Sequence, residues 1–286
     1  MPQIAMNDLQ LTTEMSKYIE TTIEDGVVVI KMIQPNKLNG WTMPMMEAFT
    51  TAFEQADKND DVKAIIFTGE GRYYSAGVNL SSTIQLMHPK KLHAMIVEHN
   101  QSLFDAFLNV SKPILAAING PAIGASVTSA TLCNEVIAAK EATFLTPFYA
   151  LGVTPEGCSS VHFPRLIGEQ NAERMLGKEG WKPSADEALA IGLVQTVVPQ
   201  EELITKAKEI AKGWIRDGVQ RAFLANGDLA ELKQINKEES HALASAFLSR
   251  KFLMSQAKFL WSKKKRGIAA VFFILAITQP LWGRLI

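Results

Sequence analysis

The stretch Pro113-Ile114-Leu115-Ala116-Ala117-Ile118-Asn119-Gly120-Pro121-Ala122-Ile123-Gly124-Ala125-Ser126 decides how this chain folds. Residues 113–118 read as a strand, Asn119-Gly120-Pro121 ends it, and Gly124 opens a helix at Ala125. A strand running through a glycine turn into a helix start leaves backbone N–H groups without internal partners. The helix dipole there favours negative charge. The segment is therefore built to present N–H donors to an anion.

The same logic recurs upstream. Residues 62–68 read as a buried strand, Gly69-Glu70-Gly71 as a turn, and Tyr74-Ser75-Ala76-Gly77-Val78-Asn79-Leu80 follows. Gly77 admits backbone conformations closed to other residues, and the N–H groups after it are free of the strand. Downstream, Leu151-Gly152-Val153-Thr154-Pro155-Glu156-Gly157-Cys158-Ser159-Ser160 carries Glu156, a carboxylate without an acidic partner. Two N–H donors from separate segments make an oxyanion hole, each worth about 3–4 kcal/mol of transition-state stabilisation. With one movable carboxylate, such a cradle shifts a proton within a substrate and is poorly equipped to hold and activate a water. Taken singly, each segment is an ordinary turn; their joint order and spacing is specific.

The rest of the chain alternates strands and helices. Val27–Met32 reads as a strand, and residues 42–56 as a helix with Thr42 as N-cap before Pro44. Residues 91–109 read as a long helix, 125–133 as a small-residue helix, and 136–139 and 142–145 as strands. A further helix begins at residues 172–176. Residues 185–191 are helical up to Gly192, and 194–198 form a strand. Amphipathic helices are expected over 201–217, 218–235 and 238–261. This alternation excludes an all-β sandwich and an all-α bundle and places the chain in the α/β class. With no long linker in view, we expect a core over 1–198, a C-terminal helical subdomain over 199–266 and an apolar tail over 267–286.

The 286 residues carry 29 Lys and Arg against 29 Asp and Glu. Zero net charge argues against a general nucleic-acid binder. The two cysteines make no disulfide framework, and the five histidines show no metal-binding arrangement, so no metal is expected. Residues 1–20 have no apolar core of a signal peptide, and their acids with no arginine speak against a mitochondrial presequence. Lys263-Lys264-Lys265-Arg266 precedes the apolar run 267–278, which is shorter than a spanning helix prefers. A basic flank beside an apolar segment suits a tail anchor or membrane-surface helix. A buried terminal element, or a terminus altered from the ancestral one, is preferred to membrane contact.

Taken together, Ser75-Ala76-Gly77-Val78-Asn79-Leu80, Asn119-Gly120-Pro121-Ala122-Ile123-Gly124 and Pro155-Glu156-Gly157-Cys158-Ser159-Ser160 resemble the crotonase (enoyl-CoA hydratase/isomerase) superfamily. The closest resemblance is to the peroxisomal Δ3,Δ2-enoyl-CoA isomerases, over about residues 19–266. Asn36-Lys37-Leu38-Asn39-Gly40 is similar to the family's CoA-facing loop. The resemblance implies a crotonase-like spiral of ββα units with a C-terminal helical subdomain, assembled as a homotrimer or hexamer. It implies Glu156 as the catalytic base and the N–H groups of Val78 and Ala125 as the oxyanion hole. It places Lys37, Leu38, Ser75, Ala76, Gly77, Val78, Asn79, Leu80 and Phe148 along the acyl-CoA substrate.

The glutamates of the family's hydratases match Thr128 and Phe148 here, and neither can take a proton from water. The implied activity converts 3-enoyl-CoA to 2-trans-enoyl-CoA in fatty-acid β-oxidation. It needs no cofactor, since coenzyme A is part of the substrate. Action on another acyl-CoA in secondary metabolism, or a crotonase-fold binding or scaffold protein, are the alternatives. Phe148, Leu151 and Val153 are candidate apolar walls raising the pKa of Glu156. Asn79 replaces the family's aspartate and is read as a helix cap. The stripe Leu243, Phe247, Phe252 and Leu253 is read as core or subunit contact. The resemblance implies the peroxisome, with cytoplasm or mitochondrion as alternatives; Arg284-Leu285-Ile286 is a poor match to a Ser-Lys-Leu-like address.

Overall fold

A computed structural model describes residues 9–79 and 87–285. β1 (Ile19–Glu24) and β2 (Val27–Met32) form an antiparallel hairpin turned by Asp25 and Gly26, both at positive φ. Asp-Gly is the pair such a two-residue turn demands. β3 (Ala64–Gly69), β4 (Ile114–Ile118), β6 (Glu135–Ala139) and β8 (Thr196–Val198) then add in parallel, giving the order β1-β2-β3-β4-β6-β8. β3 and β4 are buried along their whole length. A parallel sheet covered on both faces takes such continuous apolar runs, which is why these strands read plainly in the sequence.

Four of these strands continue into a short second segment. Trp41 follows β2, Ser75 and Val78 follow β3, β5 (Ala122–Ile123) follows β4, and β7 (Phe144–Leu145) follows β6. These segments pair with one another in parallel: Trp41 with Val78, Ser75 with Ala122, and β5 with β7. A helix follows each: α1 (Met43–Lys58), α2 (Pro89–Leu108), α3 (Ala125–Thr128) and α4 (Phe148–Leu151). The result is a spiral of ββα turns in which the second strand of each turn builds a narrow layer beside the sheet.

One face of the sheet, with Val28, Ile30, Ile65, Phe67, Ile114 and Ala116, packs under α1 and α2. The other, with Val29, Ile66, Leu115 and Ile137, is covered by Leu203, Ala207 and Ala211 of α7 (Leu203–Asp217). α7 thus lies on the sheet, although it falls within the 199–266 stretch assigned from sequence to the helical subdomain.

Several expected elements take other bounds. The 125–133 helix is the four-residue α3 followed by a 3-10 turn, Ser129–Leu132. The helix expected from residue 172 is α5 (Ser159–Leu176), interrupted at Gly168, whose φ is 79°. Residues 218–228 are not helical. Gly218 ends α7 in the left-handed region, Asn226 and Gly227 are also at positive φ, and Asp228 caps α8 (Leu229–Phe247) by accepting the Glu231 N–H. The expected 238–261 helix is split by Ser249, whose hydroxyl accepts the Phe252 N–H and starts α9 (Arg250–Ser262). The apolar tail forms α10 (Arg266–Trp282), which packs one face on α9 and leaves the other exposed. α6 (Ala185–Ala190) starts at a capping box between Ser184 and Glu187.

Candidate functional site

The two glycine segments meet. Gly77 sits at φ 76°, and a Cβ there would lie 2.3 Å from the Ile123 carbonyl oxygen and 3.9 Å from Gly124 Cα. Only glycine permits this approach. Ser75 ties the segments together: its carbonyl accepts the Ile123 N–H at 3.0 Å, and its hydroxyl donates to Asn39 O at 2.8 Å. The Ser126 hydroxyl accepts the Ile123 N–H at 2.9 Å.

This pairing leaves two donors unused. The Trp41 N–H donates to Gly77 O at 2.8 Å and the Asn79 N–H to Trp41 O at 3.0 Å, so the intervening Val78 N–H faces the opposite side of its strand. The Gly124 N–H donates to Leu145 O, and Ala125 is the first residue of α3, where no intrahelical acceptor exists. Among the described residues, neither the Val78 nor the Ala125 N–H has an acceptor.

The Pro35–Gly40 loop lies against the first segment. Buried Asn39 donates to Glu70 O and Tyr73 O and accepts the Gln34 N–H. It thereby fixes Leu38, which is left-handed at φ 54° and accepts the Ala76 N–H at 2.9 Å. Lys37 and Leu38 are thus brought beside Ser75, Ala76 and Gly77. Asn79 is exposed, and Leu80 lies outside the described residues.

Glu156 stands on a tight turn. Gly157 and Cys158 take φ of 67° and 63°, and a Cβ on Gly157 would meet the Phe104 ring at 2.3 Å. The Ser159 hydroxyl donates to Glu156 O at 2.7 Å. From α8, Glu239 reaches the same turn. Its carboxylate accepts the Cys158 N–H at 2.6 Å and the Ser160 N–H at 2.9 Å, satisfying donors at the start of α5. The sequence reading gave Glu156 no acidic partner; the fold supplies one from 83 residues downstream.

Glu156 is 8 % exposed and Glu239 7 %. Burial, and secondarily the Glu239 charge, push the Glu156 carboxyl up to about 8. Burial also raises Glu239, against the pull of its N–H partners. Cys158 is no activated nucleophile: burial pushes its thiol up, and its Sγ donates to Leu232 O.

Glu156 and Val78 share a narrow apolar cavity of about 50 Å³. Met43 and Met46 come from α1; Ile96, His99, Asn100 and Leu103 from α2; Leu243 and Phe247 from α8. Asn100 donates to Ser240 Oγ at 3.0 Å, locking α2 to α8 above the carboxylate. The expected walls are therefore replaced. Phe148 is buried at the start of α4, Leu151 and Val153 are half-buried, and none of the three lines this cavity. Leu243 and Phe247, read from sequence as core or subunit contact, do. Thr128 is buried with its hydroxyl on Ala125 O. Glu239 had one available signal: it occupies a core position on the stripe Leu232, Asn236, Leu243, where an unpaired carboxylate does not belong.

The profile of the family described as Enoyl-CoA hydratase/isomerase matches residues 22–261. Enoyl-CoA delta isomerase 2 of Rattus norvegicus is 35 % identical over 260 residues, covering 87 % of this chain and 65 % of the relative. The chain therefore spans just under two thirds of the length of that protein. Enoyl-CoA delta isomerase 3, peroxisomal, of Mus musculus is 32 % identical over 258 residues, 87 % of this chain and 80 % of the relative. Among solved structures, an enoyl-CoA hydratase from Mycobacterium avium subsp. paratuberculosis K-10 superposes with a TM-score of 0.69 at 26 % identity, covering 85 % of this chain and 96 % of that one. On sequence, on fold and on the meeting of its two glycine segments beside a buried glutamate, this chain belongs to the enoyl-CoA hydratase/isomerase family.

Proposed function

We propose that the chain is a Δ3,Δ2-enoyl-CoA isomerase working with one carboxylate. The observation that carries this reading is that Glu156 is the one carboxylate lining the cavity beside Val78 among the described residues. Glu239 is engaged by two backbone N–H groups, and Thr128 and Phe148 offer no second acid. A hydratase must hold and deprotonate a water; a single buried carboxylate among apolar walls suits a proton passed between two carbons of one substrate.

In this mechanism the thioester oxygen of a 3-enoyl-CoA accepts hydrogen bonds from the Val78 and Ala125 N–H groups. Ionised Glu156 takes a proton from C2, and the electrons move into a dienolate whose negative charge rests on the thioester oxygen. The same carboxyl returns its proton to C4, the double bond ends between C2 and C3, and Glu156 is again ionised. The two amides contribute most at the dienolate, where charge is greatest. Lys37, Leu38 and the residues from Ser75 to Asn79 border the CoA portion. The acyl chain enters the cavity by displacing Met43 and Met46, whose flexible thioether side chains suit an adjustable wall. A peroxisomal setting is part of the proposal and rests on the name of the mouse relative.

The test is to assay purified protein on 3-cis- and 3-trans-enoyl-CoA of several lengths, beside Glu156→Gln. The expected result is isomerisation by the parent and loss of at least about 10³-fold in kcat for the variant, with acyl-CoA affinity kept. Hydration of crotonyl-CoA faster than isomerisation, or an unchanged rate in Glu156→Gln, would overturn the assignment.

A further inference from the structure

We propose that α10 and the basic turn before it form a docking surface for anionic lipid headgroups, which the helix meets lying flat. The inner face of α10 is buried through Ala269, Phe272, Leu275 and Ala276 against α9 and the helices of the cavity. Its outer face, at helical spacing, is Ala270, Phe273, Ile274, Ile277 and Leu281, all exposed; Leu281 is 83 % exposed. No charged residue occurs between Arg266 and Arg284. A helix apolar on all sides with half its surface uncovered needs a second apolar medium. Among the described residues no helix is long and apolar enough to cross a membrane, so α10 meets that medium along its length.

Charge identifies the partner. From Ser240 to Ile286 the chain carries eight Lys and Arg and no Asp or Glu, whereas the whole chain is balanced at 29 of each; the remainder is therefore net −8. Lys263, Lys264, Lys265 and Arg266 are exposed and consecutive, and none has a carboxylate partner among the described residues. These cations stand over the exposed aromatics. Lys263 Nζ is 5.8 Å from the Phe259 ring centroid, and Arg266 Cζ is 5.9 Å from that of Trp261. Cations above exposed Phe and Trp, at the edge of an apolar helix face, match the layering of a membrane surface: charge at the headgroups, aromatics at the boundary, aliphatic side chains below. A two-fold contact through this face would bring two basic regions that carry no carboxylate against each other.

The full chain should co-sediment with vesicles of phosphatidylcholine containing phosphatidylserine and not with phosphatidylcholine alone, and high salt should release it. Replacing all four of Lys263, Lys264, Lys265 and Arg266 by Gln should weaken binding by about tenfold or more, as should Phe273→Ser with Ile277→Ser. Both variants should keep the parent's acyl-CoA turnover, which shows that they fold. Equal binding to neutral vesicles, or none to either kind, would overturn the proposal. So would an Ile277→Cys chain that cross-links efficiently to a second copy and, in that state, binds no vesicle, because the face would then belong to the oligomer.

Discussion

The Cys158 N–H donates to Glu239 Oε2 at 2.6 Å, so the turn that carries Glu156 is held by a carboxylate from another helix. The arrangement fixes the position of Glu156 and sets a second negative charge near it. Both effects act on the same proton. Glu239→Gln removes the charge and keeps an acceptor for one of the two N–H groups. The acid limb of the kcat/KM profile, which rises as Glu156 ionises, should be centred near pH 8 in the parent and move to lower pH in the variant, which has lost the smaller of the two causes of the shift. Glu239→Ala should lower kcat as well, because the turn loses both bonds. An unmoved limb in Glu239→Gln would mean that Glu239 acts only as a brace.

The raised carboxyl of Glu156 also bears on stability. In the unfolded chain it titrates at its ordinary value of 4.5, in the folded chain at about 8. Between these the folded state binds the extra proton, so stability falls as pH rises from 4.5 and the loss is complete above 8. Glu156→Gln removes this dependence. It should stabilise the protein by about 4 kcal/mol at pH 8 and leave it nearly unchanged at pH 4. Urea melts of parent and variant at the two pH values measure the difference; an equal gain at both would assign it to packing instead.

Gly77 tests the meeting of the two segments. A methyl there would lie 2.3 Å from Ile123 O, at φ 76°. Gly152 also has positive φ, 72°, but open space around it. Gly77→Ala should cost about 3 kcal/mol or more and abolish turnover, since it forces apart the Val78 and Ala125 donors. Gly152→Ala should cost only about 1 kcal/mol for the left-handed backbone. Thermal melts with turnover of both variants separate strain from contact.

What the sequence disclosed and what it hid follow one physical line. β3, β4 and the two glycine segments were legible because their constraints are local: unbroken apolar runs, and glycines that the backbone conformation demands. Thr42 was legible as a cap for the same reason, its hydroxyl accepting the Met45 N–H. Asn100, Leu243 and Phe247 were not, because each gains its role only when α8 lies across α2, a contact between residues more than a hundred positions apart. Glu239 was not, because its partners are the Cys158 and Ser160 N–H groups at the start of α5, distant in the sequence. The missed break at 218–228 is of the other kind. Gly218 and Asn226-Gly227 were local signals, outweighed in the reading by the apolar spacing around them.

The acyl cavity should set chain-length preference through Leu243. This side chain is almost wholly buried and faces the space that Glu156 shares with Ile96 and Leu103. Each substrate methylene buried there contributes about 0.8 kcal/mol, or roughly fourfold in kcat/KM. Leu243→Ala opens room for about two more carbons and should shift the optimum toward longer 3-enoyl-CoA substrates, by about tenfold in the ratio of long to short. It should also cost about 2–4 kcal/mol of stability, as core truncations do. Met46→Ala, at the half-buried α1 wall, should relax the selection with less loss of stability. If kcat/KM across a homologous substrate series keeps the parent's profile in both variants, the acyl chain leaves the site by another path, and the cavity beside Glu156 receives only the reacting carbons.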